Sequence, residues 1–201
     1  MQIKSLHPVL DKLKMFLFFP NRKVAQTSIQ RNALSDRCVV YKDSHKKWKR
    51  LCAAYSEQQW NDAFKFTVVR NPWDRVVSGF AYFGKTQHGK QLGVDSTMLF
   101  SDFLKNILLP SGTDFNLHFA TQYGNAYFQD ELFVDFVARF EHLQKDWQYI
   151  CKRIDCPVVK LPQKNKSKRM PDYRAYYNDE DIEIVRQLYQ ADIEAFGYSF
   201  D

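Results

Sequence analysis

The chain has 201 residues, with 29 Lys plus Arg against 23 Asp plus Glu, a formal charge of 29 − 23 = +6, and 45% hydrophobic residues. This is the composition of one globular domain over 1–201, and it excludes disorder, collagen and coiled coil. A chain of this length buries roughly 70% of the surface its unfolded form exposes, so a core forms without disulfide or metal staples.

The longest apolar run near the N-terminus, Met15 to Pro20, is far short of the roughly 20 residues that span a bilayer. No signal-peptide pattern precedes it. No transmembrane segment is therefore expected, and a bacterial-type cytoplasm is the expected location; a luminal fragment cut from its anchor would read the same way. Cys38, Cys52, Cys151 and Cys156 lack the doubled spacing of a zinc site, so no metal is expected and the cysteines read as free thiols. Positive charge gathers at Lys42, Lys46, Lys47, Lys49 and Arg50, and again at Lys160, Lys164, Lys166, Lys168 and Arg169. Such runs suit an anionic ligand or a solvated face.

Strands are predicted at Met15 to Phe19, Cys38 to Tyr41, Phe64 to Val69, Leu132 to Phe136 and Pro157 to Leu161, by length and by β-branched or aromatic content. Helices are predicted from near Ala25, from near Ser56 and from Asn71, where Asn is a good N-cap and Pro72 suits the first helical position. Ser101 to Leu108 should form another. Leu143, Trp147, Ile150 and Ile154 recur at helical spacing. So do Ile182, Val185, Tyr189, Ile193 and Phe196, in one last helix from Asn178 to Gly197. Strands alternating with helices imply a three-layer α/β domain, a mostly parallel central sheet with helices on both faces.

Ligands of such sheets bind beyond the carboxyl ends of the strands. After the first predicted strand comes Asn21-Arg22-Lys23-Val24-Ala25-Gln26-Thr27-Ser28, where an ammonium, two hydroxyls and the N-H groups of a helix start can converge on a phosphate. It lacks the glycines of a Walker A loop, which argues against ATP chemistry. After the Phe64 to Val69 strand, Arg70 stands at the strand end. Trp73, Val76, Val77 and Phe80 are predicted to face the core, leaving Asn71, Asp74, Arg75 and Ser78 on the other helix face. Arg70 and Ser78 could hold a second anionic group; the plainer reading is that Arg70 or Arg75 pairs with Asp74.

Lys23-x-x-x-Thr27-Ser28, followed by Val69-Arg70-Asn71-Pro72-Trp73-Asp74-Arg75-x-x-Ser78, resembles the paired signatures of the family 2 sulfotransferases, themselves similar to carbohydrate sulfotransferases. The likeness extends to Val134 to Glu141, Leu161 to Ser167 and Asp192 to Tyr198, and so covers nearly the whole chain from about Phe16. Gln26 stands where relatives often carry Gly or Ser. The resemblance implies a P-loop NTPase-like sulfotransferase fold. It also implies 3'-phosphoadenosine 5'-phosphosulfate (PAPS) as donor and adenosine 3',5'-bisphosphate as product. Arg22, Lys23, Ala25, Gln26, Thr27 and Ser28 would hold the 5'-phosphosulfate, Arg70 and Ser78 the 3'-phosphate, and Lys168 and Arg169 would close on the nucleotide or touch an anionic acceptor.

Sulfuryl transfer is mostly positioning and charge stabilisation, with no metal needed in principle. Lys23 is the expected catalytic cation at the bridging oxygen. His45, which follows the Cys38 to Tyr41 run, is a candidate base, and relatives often carry a histidine there. His118, in Asn116-Leu117-His118, is the second candidate, as base or as an acceptor-binding residue with Gln122. Trp73 and Trp147 read as core. A carbohydrate or glycoconjugate hydroxyl is the acceptor that the resemblance favours, with Gly84 to Phe115 shaping its cleft, and no nucleic-acid partner is expected. The alternatives are a kinase-like P-loop protein and a non-enzymatic basic module for nucleic acid or sulfated polysaccharide.

Overall fold

A computed structural model describes residues 16–32, 39–40, 56–95, 97–161 and 169–201. Its centre is a parallel sheet in which β1 (Phe16–Phe19), β2 (Val39–Val40), β3 (Phe64–Val69) and β6 (Phe136–Arg139) run in the order β2-β1-β3-β6. β1 and β3 are buried at every position, so β1 is apolar throughout and β3 is apolar except for Lys65 and Thr67, both buried. Their pleat sorts the core. Phe16, Phe18, Phe66, Val68 and Ala138 pack against Ile29 of α1 (Gln26–Asn32) and against Trp147 and Ile150 of α6 (Leu143–Arg153). Leu17, Phe19 and Val69 face the other way, onto Ala126, Val134 and Phe196. Phe18 and Phe66 stack at 4.9 Å across the strands.

Beyond the sheet, α2 (Glu57–Asp62) opens on a reciprocal cap between Ser56 and Gln59, and α3 (Pro72–Phe83) opens on Asn71, whose side chain accepts from the N-H of Trp73 and Asp74. Both starts agree with the sequence. α4 (Gln87–Gln91) leads to α5 (100–111), a continuous helix with a π turn at Leu104–Leu108. Phe100, Phe103, Leu104 and Leu108 of α5 form a second core with Trp73 and Val77 of α3 and Val185 of α7 (Asp179–Leu188). Trp73 and Trp147 are buried, as expected. No helix among the described residues is long and apolar enough to cross a membrane.

Three expectations are corrected. The Leu132 to Phe136 run is split: Glu131–Leu132 (β5) closes a hairpin with Tyr127–Phe128 (β4), and β6 starts only at Phe136. The hairpin turns through Gln129 and Asp130, both at positive φ without the glycine that usually announces such a turn. The backbone N-H of Asp135 then bonds Lys65 O at the start of β3, setting the register. Pro157 to Leu161 forms no strand; Pro157 has no N-H to give, and Val158 and Val159 stay 49% and 39% exposed, so β propensity acts without a pairing strand among the described residues. The predicted last helix breaks at Tyr189 (φ −118°, ψ 24°), giving α7 and α8 (Gln190–Phe196). The break buries Tyr189, whose hydroxyl donates to Phe119 O at 2.6 Å.

Gly79 of α3 lies under the ring of Phe119, where an added Cβ would meet Cε1 at 2.7 Å. Phe119 is itself locked among Phe83, Phe103 and Phe115, so it cannot give way. Overpacking costs about 1–3 kcal/mol and alanine returns at most about 1 kcal/mol of helix propensity. Gly79→Ala is expected to lose about 1 kcal/mol net in urea unfolding, and a stabilised variant would contradict this packing.

Candidate active site

The strand order places the site. From β1 the chain leaves to β2 on one side, and from β3 it leaves toward β6 on the other, so the crevice between the carboxyl ends of β1 and β3 is the topological switch point. A buried lattice holds those two ends together. Thr67 donates its hydroxyl to Phe19 O at 2.6 Å, and Asn21 donates to Thr67 Oγ1 at 3.2 Å and Val68 O at 3.0 Å. Asn125 donates to Asn21 Oδ1 at 2.6 Å.

On this base the chain climbs through Arg22 to Ala25 into α1. Lys23 (φ 67°) and Ala25 (φ 63°) are left-handed while Val24 between them is not. This alternation turns successive N-H groups toward a common concavity, the form of an anion-binding nest. Holding two non-glycine residues there costs of order 1–3 kcal/mol each. Gln26 and Ser28 are buried, Ala25 and Thr27 half-buried, and Arg22 is exposed.

The Arg70 guanidinium, buried at the end of β3, reaches this loop and donates to Lys23 O at 2.9 Å. It also donates to Asp74 Oδ2 at 2.8 Å through Nε, with Nη2 2.7 Å from the same oxygen, and it covers the Phe140 ring at 4.1 Å. Asp74 pairs on its other oxygen with Arg169, so two arginines share one carboxylate. Burial lowers the pKa of Arg70 from its ordinary value, against the pull of Asp74. Arg169 Nη1 is buried with no hydrogen-bond partner among the described residues. Ser78 is buried one turn beyond Asp74. An oxyanion with several acceptor lone pairs fits this donor set, and an orphaned buried guanidinium N-H is the kind of group that calls for one.

Lys23 has no carboxylate partner among the described residues. Its ammonium rests 4.4 Å over the Tyr82 ring. Burial, then Arg70, Arg169 and Lys85, bring its pKa down to about 8. His118 stacks on the same Tyr82 ring at 4.7 Å. Its pKa is held at about 4, first by burial and then by Lys23, Arg22 and Arg75, so the imidazole is neutral at pH 7. Lys23, Arg70, His118 and Arg169, far apart in sequence, thus converge on one crevice. His45 and Lys168 lie outside the described residues.

Two expectations change here. Gln122 is fully buried and is not open to an acceptor. It clamps Arg70 instead, accepting from its backbone N-H and donating to its carbonyl, both at 2.9 Å. Asp192 of α8 holds Gln122 by accepting its backbone N-H at 2.8 Å. Arg75 is not on the open face of α3 with Arg70 and Ser78. It is 1% exposed and turned to the carbonyls of residues 118–120, leaving the pairing with Asp74 to Arg70. Tyr82 and Asn116 were not singled out from the sequence, although Asn116-Leu117-His118 carries the spacing of an Asx turn.

A model of the sulfotransferase family matches residues 2–199 of the chain. No curated protein and no solved structure matches. The chain belongs to the sulfotransferase family.

The Lys23 pKa gives a signed test. In the unfolded chain the amine titrates near 10.4, against about 8 when folded. Between those values the unfolded state binds more protons, so stability rises with pH through this window. Below about pH 8 the cost of the buried ammonium is fully present. Lys23→Met is expected to be more stable than the parent at pH 7 in urea unfolding, with the advantage shrinking as pH approaches 10. An advantage independent of pH would contradict this electrostatic reading.

Proposed function

We propose that this sulfotransferase-family chain transfers a sulfuryl group from PAPS to a hydroxyl, or an amine, of a carbohydrate or glycoconjugate acceptor. The observation that carries the reading is the meeting of Lys23, Arg70 and Arg169 at the switch point, with more buried positive charge than Asp74 balances. That cluster suits a ligand with two separated anionic groups. The Lys23 loop and the start of α1 would take the 5'-phosphosulfate; Arg70, Arg169 and Ser78 would take the 3'-phosphate. Cover on both faces of the sheet and the phosphate-type loop after β1 support a three-layer, P-loop-like arrangement. The absence of glycine from 21–28 speaks against a kinase.

When bound, the donor supplies the sulfuryl group and departs as adenosine 3',5'-bisphosphate. The Lys23 ammonium stabilises the negative charge that develops on the bridging oxygen as its bond to sulfur breaks. His118 accepts the proton that the acceptor oxygen sheds as it bonds sulfur. Tyr82, 43% exposed, touches both Lys23 and His118 and would be the aromatic surface nearest the acceptor sugar.

Transfer of labelled sulfate from PAPS to a panel of glycans tests this. Lys23→Ala is expected to lose at least about 100-fold in kcat with native circular dichroism. Full activity in Lys23→Ala, or no transfer by the parent to any glycan or simple alcohol, would overturn it.

A further inference from the structure

His118 has two ring nitrogens, and only the one without hydrogen can accept a proton. The surroundings decide which one that is. Asn116 Oδ1 lies 3.0 Å from the backbone nitrogen of His118 and 2.8 Å from its Nδ1. A backbone N-H can only donate, so the Asn116 atom it meets is the carbonyl oxygen and not the amide nitrogen. The Nδ1 that faces the same oxygen must then carry the hydrogen. The ring is neutral at pH 7 and has a single N-H, which leaves the lone pair on Nε2. Nε2 makes no hydrogen bond to the described residues. The Nε2-H form is the commoner one for an unconstrained imidazole, so Asn116 works against the intrinsic preference.

The segment that carries this ring is held from beneath. Arg75 Nη1 approaches His118 O at 3.4 Å, and Nη2 approaches Phe119 O at 3.5 Å and also bonds Ala120 O. The Tyr189 hydroxyl shares Phe119 O. Arg75 has no carboxylate within salt-bridge distance among the described residues, and its Nε is buried without a partner. A buried guanidinium that spends its donors on three successive carbonyls fixes backbone, and the backbone it fixes is that of His118 and the two residues after it.

We infer that Asn116 and Arg75 are positioning residues for His118, Asn116 holding the imidazole as its Nδ1-H tautomer and Arg75 anchoring the 118–120 backbone, so that Nε2 is kept free as the proton acceptor. The catalytic use of Nε2 rests on the function proposed above; the tautomer and its supports do not.

The test separates the two. Nitrogen-15 spectra of the imidazoles of the free protein, assigned through His118→Gln, report the tautomer without any substrate. The parent is expected to show His118 protonated at Nδ1, and Asn116→Asp, which keeps the acceptor oxygen, should do the same. Asn116→Ala should move the ring toward Nε2-H, and Arg75→Met should give a mixture that Arg75→Lys partly restores. Activity is read in parallel. Asn116→Ala should lower kcat about 10- to 100-fold with the KM for donor changed less than about twofold. An Nε2-H ring in the parent, or an unchanged tautomer in Asn116→Ala, would overturn the role of Asn116. An unchanged spectrum in Arg75→Met would overturn that of Arg75. Loss of the tautomer with kcat intact, in a parent that transfers sulfate, would overturn the link to catalysis and leave the proposed function standing.

Discussion

The rest of this structure is organised around buried positive charge that the protein does not fully neutralise. A cation withdrawn from water loses several kcal/mol of hydration unless an anion replaces it. Asp74 is divided between Arg70 and Arg169, and Lys23 has an aromatic face where a carboxylate would be. The low pKa of Lys23 is the local record of that cost. A dianionic ligand entering such a crevice replaces lost hydration and meets donors already aimed, which is the electrostatic preorganisation that transfer of a charged group exploits. On the proposed reading, the chain would bear the destabilisation when empty and recover it on binding the donor.

Rigid supports from distant parts of the chain make this tolerable. Gln122 grips both backbone polar groups of Arg70, and the buried carboxylate of Asp192 in turn grips Gln122 and the N-H of Tyr123. Burial pushes the pKa of Asp192 up, against the field of Arg75 and the hydrogen bonds it accepts. α8 is thereby coupled to the end of β3. The side chain of Asn71 caps α3 and also donates to Ser199 O at 2.8 Å, tying the last residues to the helix that carries Asp74 and Ser78.

Much of this was legible in the sequence where local physics decides. β1 and β3 declare themselves because strands buried on both faces are mostly apolar, and α3 because Asn71-Pro72 is a strong helix start. Lys23 and Arg70 are legible because they follow those strands, and His118 only as an imidazole able to act as a base or to bind an acceptor, with nothing to mark the part played by Asn116. What escaped depends on contacts across the chain. Arg75 has the helical phase of a surface residue, and only the carbonyls of 118–120 turn it inward. Gln122 looked available until Arg70 and Asp192 occupied it. The left-handed turns at Lys23, Ala25 and Gln129 carry no glycine, so no local preference announces them. Likewise the run at 157–161 has strand propensity but no strand to join among the described residues.

The central claim is that the Arg70, Arg169 and Ser78 corner is built for a phosphate at the 3' position of a nucleotide. Calorimetric titration of the parent and of Arg70→Ala with adenosine 3',5'-bisphosphate and with adenosine 5'-phosphate measures this directly. The bisphosphate should bind the parent at least about tenfold more tightly, the increment of a charge-assisted contact, and Arg70→Ala should erase that difference. Equal binding of both nucleotides by the parent, or a preference that survives Arg70→Ala, would contradict the claim.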